Sequence, residues 1–340
     1  MHRCLQLAKL GRGTAQPNPM VGSVIVHDGK IIGEGYHHQC GEAHAEVNAI
    51  NSVEDKSLLE RSTIYVNLEP CAHVGRTPAC STLIINSKIP CVVIGCVDSF
   101  DKVAGQGIAM MKAAGIDVRV GVLEKESLDI NRRFFTFHQK KRPYIILKWA
   151  ETKDGFIDYD RTQEHPEAAW ITNEISRSYV HKWRTEEPAF LVGTQTAIKD
   201  NPQLNVRAWA GNAPLRVSVD RKGIFPENLN LLDDSQKTII FTSKLPSRTY
   251  QNTNFILIDD KIELENQILN ELYKMEVQSI VIEGGQIVLD GFISKNIWDE
   301  ARVFVGSKQF GSGIKAPDFR ARVNSIYHFD DTELRIYFNQ

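Results

Sequence analysis

Apolar positions recur along this chain in two rhythms, and the switches between them predict its elements. Leu5, Leu7, Ala8 and Leu10 predict a helix over 2–10. Residues 21–26 and 30–36 read as strands joined at Asp28-Gly29, a dipeptide suited to a tight hairpin turn. Val47, Ala49 and Ile50 continue a helical segment, and 63–68 alternates like a strand. A buried strand over 91–95, a helix from Ile108 and a strand near Val118 complete a layered βαβα domain. The polar stretch 132–142, ending at Pro143, reads as a junction, giving domains 1–142 and 143–340. Beyond it, strands are predicted over 144–150, 189–192, 215–219, 238–241, 254–258 and 279–282, with helical runs over 176–184, 262–274 and 287–292. Such alternation argues for a mainly parallel sheet with helices on both faces. Residues 301–305 and 334–338 look like a closing antiparallel pair.

Composition narrows the class without naming a function. The 340 residues suggest two domains. The net charge of −2 gives no electrostatic footprint for nucleic acid. No apolar run reaches the length of a membrane span, and Met1-His2-Arg3-Cys4 lacks the apolar core of a signal peptide. Six cysteines in so long a chain are no disulfide framework. Cys4, Cys40, Cys91 and Cys96 read as ordinary thiols, and a reducing cytoplasm fits.

The chemistry concentrates between His44 and Cys80. His44, Cys71 and Cys80 supply one imidazole and two thiols, a set that leaves a catalytic zinc its fourth position for water. Glu46 stands two residues after the histidine, where zinc deaminases carry a general acid–base glutamate that does not bind metal. Residues two apart do not share a helix face, so His44 and Glu46 can converge only in a helix's first turn. Pro78 suits the first turn of a second helix, which carries Cys80. Two helix N-termini facing the metal would favour thiolate. A structural zinc knuckle or two buried cysteines is the plainer alternative, but His44 stands without a nearby second ligand. The generic deaminase signature has two residues between its cysteines, whereas here 72–79 intervene.

These motifs resemble the deaminase half of the bifunctional riboflavin-biosynthesis deaminase/reductase family. The family's Pro-Asn-Pro-x-Val-Gly stands here at 17–22, its His-Ala-Glu at 44–46, and its Glu-Pro-Cys-x-His-x-Gly-Arg-Thr-Pro-x-Cys at 69–80. The resemblance makes Asn18 a pyrimidine-binding amide rather than a turn residue, and His37 a substrate contact. His73 would reach the same pocket, Arg76 would meet the substrate's phosphate, and Lys102 is a weaker phosphate candidate. Ser99 departs from the family's usual Asp-Pro, and the amino end is slightly short. Gly-x-Gly at 105–107 is too little to mark a nucleotide loop.

The second half resembles the same family's reductase domain. Lys148, Asp154-Gly155, Trp170-Ile171-Thr172, Arg184, Gly193, Thr196, Asp200-Asn201-Pro202, Leu204 and Arg207 match in order and spacing. Glu283-Gly284-Gly285 lies between a strand and a helix, where glycines let the backbone approach a pyrophosphate. By resemblance, Ala150, Trp170, Thr196, Asp200 and the run Gly285, Gln286, Ile287, Val288, Leu289, Asp290 and Gly291 contact the dinucleotide. Ala168, Arg184, Leu204, Arg207 and Glu283 contact the ribosyl substrate, with Lys148 beside the reacting sugar. Two arginines suit a phosphorylated substrate. The loop over 156–169 is longer than the family's, and Ala168 replaces a common Ser.

The resemblance thus implies an α/β chain, with a cytidine-deaminase-like three-layer domain followed by a dihydrofolate-reductase-like, mainly parallel domain. The zinc domain would hydrolyse the 2-amino group of 2,5-diamino-6-ribosylamino-4(3H)-pyrimidinone 5′-phosphate. The second domain would reduce the product with NADPH to 5-amino-6-ribitylaminouracil 5′-phosphate. One Zn2+ per chain, NADPH, small phosphorylated partners, a homo-oligomer and a cytoplasmic location are expected, with no nucleic acid or membrane partner. Three rivals are a nucleoside or transfer-RNA deaminase, a reductase with a purely structural zinc, and a zinc-bound interaction protein.

Overall fold

The computed structural model describes residues 1–72, 79–98, 105–161 and 169–339. His73, Arg76, Lys102 and Ala168 lie outside the described residues. The chain divides into two compact units, Met1–Lys141 and Arg142–Gln340. None of the described helices is long and apolar enough to cross a membrane.

In the first unit the order is α1 (His2–Ala8), β1 (Gly22–His27), β2 (Lys30–Tyr36), α2 (Ala45–Ser52), β3 (Thr63–Leu68), α3 (Cys80–Asn86), β4 (Cys91–Cys96), α4 (Gln106–Ala113), β5 (Asp117–Val120), α5 (Glu124–Ile130) and α6 (Arg132–Lys140). The five-stranded sheet runs β2-β1-β3-β4-β5. β1 pairs antiparallel with β2 and β3, while β3, β4 and β5 are parallel. Ala49 and Ile50 of α2, Ile84 of α3 and Met111 of α4 share one core with Ile25, Ile64, Val66, Val92 and Ile94 of the sheet. Phe134 and Phe135 of α6 pack with Leu68 and Cys96, completing the three layers.

That packing corrects the reading of 132–142 as a polar junction. Arg132–Lys140 is a helix whose Phe134, Phe135, Thr136 and Phe137 are buried. Its charged residues masked an apolar stripe that finds a partner only in the folded sheet. The chain changes unit one residue before Pro143: Arg142 donates from both guanidinium nitrogens to the Asp299 carboxylate, at 2.5 and 2.9 Å.

In the second unit the order is β6 (Tyr144–Glu151), β7 (Phe156–Asp158), α7 (Glu174–Glu186), β8 (Ala189–Val192), α8 (Thr194–Asp200), β9 (Leu215–Asp220), β10 (Thr238–Thr242), β11 (Thr253–Leu257), α9 (Leu264–Lys274), β12 (Ser279–Ile282), α10 (Gln286–Ser294), β13 (Glu300–Gly306), β14 (Ile314–Lys315), β15 (Val323–Phe329) and β16 (Thr332–Phe338). The nine-stranded sheet runs β11-β10-β9-β8-β12-β6-β13-β16-β15. It is parallel from β11 to β13 and antiparallel in its last two pairings. Ile145, Leu147 and Trp149 of β6 face one core with α9 and α10. Tyr144 and Ile146 face the other, with Val180 and Trp183 of α7. Side chains alternate along a strand, so Lys148 points toward the α7 face. β12 is laid between β8 and β6, so the C-terminal ends of β6, β8 and β12 meet where the strand order doubles back. Open parallel sheets bind ligands at such a point. β15 went unread because it is an edge strand, exposed at most positions, and shows no one-sided alternation.

Candidate active sites

In the first unit, His44 caps the start of α2 and Cys80 begins α3. The described ligand atoms of His44, Cys71 and Cys80 lie within 4.8 Å of one another. His44 Nδ1 is 3.7 Å from Cys71 Sγ and 3.3 Å from Cys80 Sγ. A tetrahedral zinc, with bonds of about 2.3 Å to sulfur and 2.0–2.1 Å to nitrogen, separates such atoms by about 3.5–3.8 Å. The donor set and spacing therefore fit zinc. The backbone N–H of Cys80 donates to Cys71 Sγ at 3.3 Å, consistent with a sulfur that carries charge.

The two sulfurs titrate as a pair. Cys71 is pulled down to about 4, by the Cys80 thiol first and by His44 against the opposing effect of burial. Cys80 is pushed up, by Cys71, burial and Glu46. Without a cation the pair thus keeps one proton, and metal binding must displace it. Glu46 is 3% exposed. Burial first, and then the Cys71 charge, push its carboxyl up to about 7. A group near neutrality both accepts and returns a proton at working pH.

Asn18 and His37 are brought together, although as partners. His37 is buried. Its Nδ1 lies 3.1 Å from the Ala43 carbonyl and its Nε2 3.0 Å from Asn18 Nδ2. A carbonyl only accepts, so Nδ1 carries the proton and Nε2 accepts from the Asn18 amide. That sets the direction of the carboxamide, and burial lowers the His37 pKa, favouring this neutral form. His37 therefore holds Asn18, with both of its ring nitrogens engaged.

Several supporting residues had no sequence signal as functional groups. Asn131 and Asn67 both hydrogen-bond the Met20 backbone, and Asn67 Oδ1 also accepts from Gly22 N. They fix the segment that carries Asn18, whose Gln16–Pro17 bond is cis. Buried Glu69 accepts from the backbone N–H groups of Asp98, Gly105 and Ile108. Gly105 has φ +77°, and a Cβ at Gly107 would lie 2.1 Å from the Pro70 carbonyl oxygen. The Gly-x-Gly is therefore a packing device beside the cysteine segment.

In the second unit, Ile282 of β12 pairs with Leu147 of β6, which sets Glu283 beside Lys148. Lys148 Nζ is 3.3 Å from Glu283 Oε1, and Arg184 Nη2 is 3.0 Å from Oε2. All three side chains are at least 85% buried, at 15, 8 and 11% exposure for Lys148, Glu283 and Arg184. Burial would raise the Glu283 carboxyl, but Arg184 and Lys148 outweigh it and hold it below its usual value. Arg184 also donates to Asn205 O, and Arg207 to Asn205 Oδ1. His181, which the sequence did not single out, accepts the Arg207 backbone N–H at 3.5 Å. Burial, then Arg184 and Arg207, lower its pKa.

Other expected contacts divide by side-chain direction. Gly193 N donates to Gly284 O at 3.1 Å. A Cβ at Gly193 would lie 2.7 Å from Val288 Cγ2, and one at Gly285 3.3 Å from Thr196 Oγ1. Gly285, at φ +81°, caps α10. The turns after β8 and β12 thus form one narrow cradle at a helix N-terminus, a shape that fits a pyrophosphate. Ile287 is exposed, and Ala150 and Gln286 are half-buried. Leu289 is wholly buried in the sheet core, and Leu204 is buried in the opposite core. The side chains of Leu289 and Leu204 serve packing, which leaves only their backbones to face a ligand. Gly291 faces Glu265 of α9, and Asp290 has its pKa raised by burial. Asp200 is engaged by Arg161. Trp170 is exposed, with the Arg177 guanidinium 4.5 Å above its ring.

Comparison with known proteins places both units. Residues 1–96 match the cytidine and deoxycytidylate deaminase zinc-binding region, and 143–333 match the RibD C-terminal domain. The chain is 38% identical to the riboflavin biosynthesis protein RibD of Aquifex aeolicus over 327 residues, covering 95% of this chain and 90% of that protein. It is 33% identical to RibD of Escherichia coli, covering 92% and 88%. A solved deaminase/reductase of Thermotoga maritima, a diaminohydroxyphosphoribosylaminopyrimidine deaminase and 5-amino-6-(5-phosphoribosylamino)uracil reductase, superimposes with TM-score 0.90 at 36% identity, covering 100% of this chain and 97% of that one.

Proposed function

Because this chain belongs to the RibD family of riboflavin-biosynthesis deaminase/reductases, we propose a residue-level account of its two reactions. The first unit hydrolyses the 2-amino group of 2,5-diamino-6-ribosylamino-4(3H)-pyrimidinone 5′-phosphate. The second reduces the ribosyl chain of the product, giving 5-amino-6-ribitylaminouracil 5′-phosphate. The first unit is a zinc-binding deaminase domain, and the second implies a nicotinamide cofactor. The finer assignments are one zinc per chain and NADPH.

The observation that carries the account is Glu46, buried beside the His44–Cys71–Cys80 cluster, which supplies three ligands among the described residues. His44, Cys71 and Cys80 would hold the zinc, which supplies a water acidified toward neutral pH. Glu46 would take a proton from that water and pass it to the ring nitrogen as the hydroxide adds to the carbon; it would then take the second proton, from the added hydroxyl, and give it to the departing amine, so that ammonia leaves as the carbonyl forms. Asn18, oriented by His37, holds the pyrimidine edge. In the second unit the cofactor brings the hydride, and the protein supplies orientation and charge. Glu283 aims the Lys148 ammonium, which donates to the sugar oxygen that gains charge. Arg184 and Arg207 flank the phosphorylated substrate.

The test compares wild type with Glu46→Gln in ammonia release and in NADPH oxidation. The variant is expected to lose roughly two or more powers of ten in ammonia release. It should still oxidise NADPH when given the deaminated intermediate. A variant that deaminates like wild type would leave the zinc with only a structural part.

A further inference from the structure

We propose that Asn230, held in place by the buried Arg216, is a positioning residue for the reductase substrate: through the segment 201–207 it fixes where Arg184 and Arg207 stand. The proposal deepens the reductase reading and rests on it.

Both arginines take their direction from Asn205. Its backbone carbonyl accepts from Arg184 Nη1 at 3.2 Å, and its side-chain oxygen accepts from Arg207 Nη1 at 3.1 Å. Arg207 makes no ion pair among the described residues, so this amide is what steers its guanidinium. Asn205 itself lies in no helix or strand. Nearby, Asn201 at the end of α8 and Leu204 have φ +41° and +47°. The left-handed region comes readily to asparagine but not to leucine. Such backbone persists only where the surroundings over-determine it.

Those surroundings come from 230–236, a stretch between β9 and β10 that supplies no expected ligand contact. The Asn230 backbone N–H donates to Asn201 Oδ1 at 2.7 Å, and Asn230 Nδ2 donates to the Asn201 carbonyl at 2.6 Å. This reciprocal pair fixes the way the chain leaves α8. Further on, Gln236 Nε2 donates to the Leu204 carbonyl at 3.4 Å. The Leu204 side chain is 1% exposed and shares its core with Leu231. The segment is thus held at Asn201 and at Leu204, immediately ahead of Asn205.

Arg216 of β9 gathers the holding stretch. Its side chain is 1% exposed. The guanidinium donates to Asn230 O at 2.8 Å, to Asp233 Oδ1 at 2.9 Å, to Gln236 O at 3.1 Å and to Thr238 Oγ1 at 2.8 Å. A buried charge is tolerated only when it is paired and hydrogen-bonded. Here the planar fork spends its donors on the residues that grip 201–204, and its rigidity sets Asn230 against the sheet. Arg216 therefore acts on the site only through its neighbours.

The experiment is steady-state reduction of the deaminated intermediate by the full chain, comparing wild type, Asn230→Ala, Asn201→Gly and Arg207→Ala. Asn201→Gly keeps the left-handed backbone and removes only the side-chain amide, so it carries the test where Asn230→Ala folds poorly. Each of these two changes is expected to raise KM for the intermediate about five- to tenfold, with kcat within about twofold and KM for NADPH unchanged. A merely structural loss shrinks the active fraction, which lowers kcat at constant KM. That result, an unchanged KM, or an equal rise in KM for NADPH overturns the inference. In the Arg207→Ala background either change should raise KM by less than about threefold, because part of what it positions is gone. An undiminished effect there overturns the inference while the reductase reading stands. If Arg207→Ala alone leaves KM for the intermediate unchanged, the placing of the substrate between the two arginines falls and takes the inference with it.

Discussion

The metal cluster of the first unit and the ionic cluster of the second are both buried, but they are assembled differently. His44 and Cys80 stand at the starts of two helices, and Cys71 follows the end of β3. Lys148 and Glu283 are 135 residues apart, and Arg184 and Glu283 99 apart. The first cluster gathers an imidazole and two thiols, a donor set that suits a cation. The second sets two cations, Lys148 and Arg184, on the one Glu283 carboxylate, and is held by strand register. A site that binds metal can be written as a motif, because ligand spacing is a local requirement. A site that binds a flexible phosphorylated substrate is written in topology, because each side chain comes from a different strand or helix end.

The strongest way to break the comparison is to remove a metal ligand. Cys71→Ala should abolish stoichiometric zinc by elemental analysis and reduce ammonia release further than Glu46→Gln, while reduction of the deaminated intermediate survives. If zinc stays bound, the ligand set is wrong. Next, Glu283→Ala leaves Lys148 and Arg184 as buried charges without their carboxylate. Removing one partner of a buried pair typically costs about 3–5 kcal/mol, to be read in urea unfolding of the reductase unit, with ammonia release unchanged. A cost below about 1 kcal/mol would mark this cluster as solvated, like an ordinary surface pair.

The two following tests sharpen the contrast. Gly107→Ala forces a methyl against the Pro70 carbonyl, 2.1 Å away. Overpacking of about 1–3 kcal/mol is expected, together with weaker zinc retention, since Pro70 adjoins Cys71. Unchanged zinc affinity would separate this packing from the site. The smallest effect concerns pH. His181 has its folded pKa below the usual 6.5. As pH falls below 6.5, the unfolded chain takes up the proton first, so the stability contributed above that value is lost until the folded histidine also protonates. Thermal melts of wild type should therefore fall more steeply than those of His181→Gln over this window, and parallel curves would remove the assignment.

The parts that were legible show why others were not. The hairpin around Asp28-Gly29 and the strand of 63–68 follow from local pattern, and both form. The cysteine–histidine spacing did converge on one point. Helix α6 was hidden because its charges dominate the sequence while its phenylalanines find their partners only on the sheet. His37 stood out in the sequence, but what its ring holds depended on which carbonyl stood behind it. Leu204 matched a pattern in order and spacing and Leu289 fell in the run after the glycine turn, yet their side chains turn into the two cores.

By itself, then, the sequence determined the alternation of strands and helices, the clustering of His44, Cys71 and Cys80, and the glycine turn after β12. These depend on neighbours within a few residues, where backbone preference and side-chain period suffice. Only the tertiary structure decided that Glu283 is shared between Lys148 and Arg184 and that His37 orients Asn18. Those relations depend on strand order and on which face each side chain takes. Both are settled by burying one continuous apolar surface, to which distant parts of the chain contribute together.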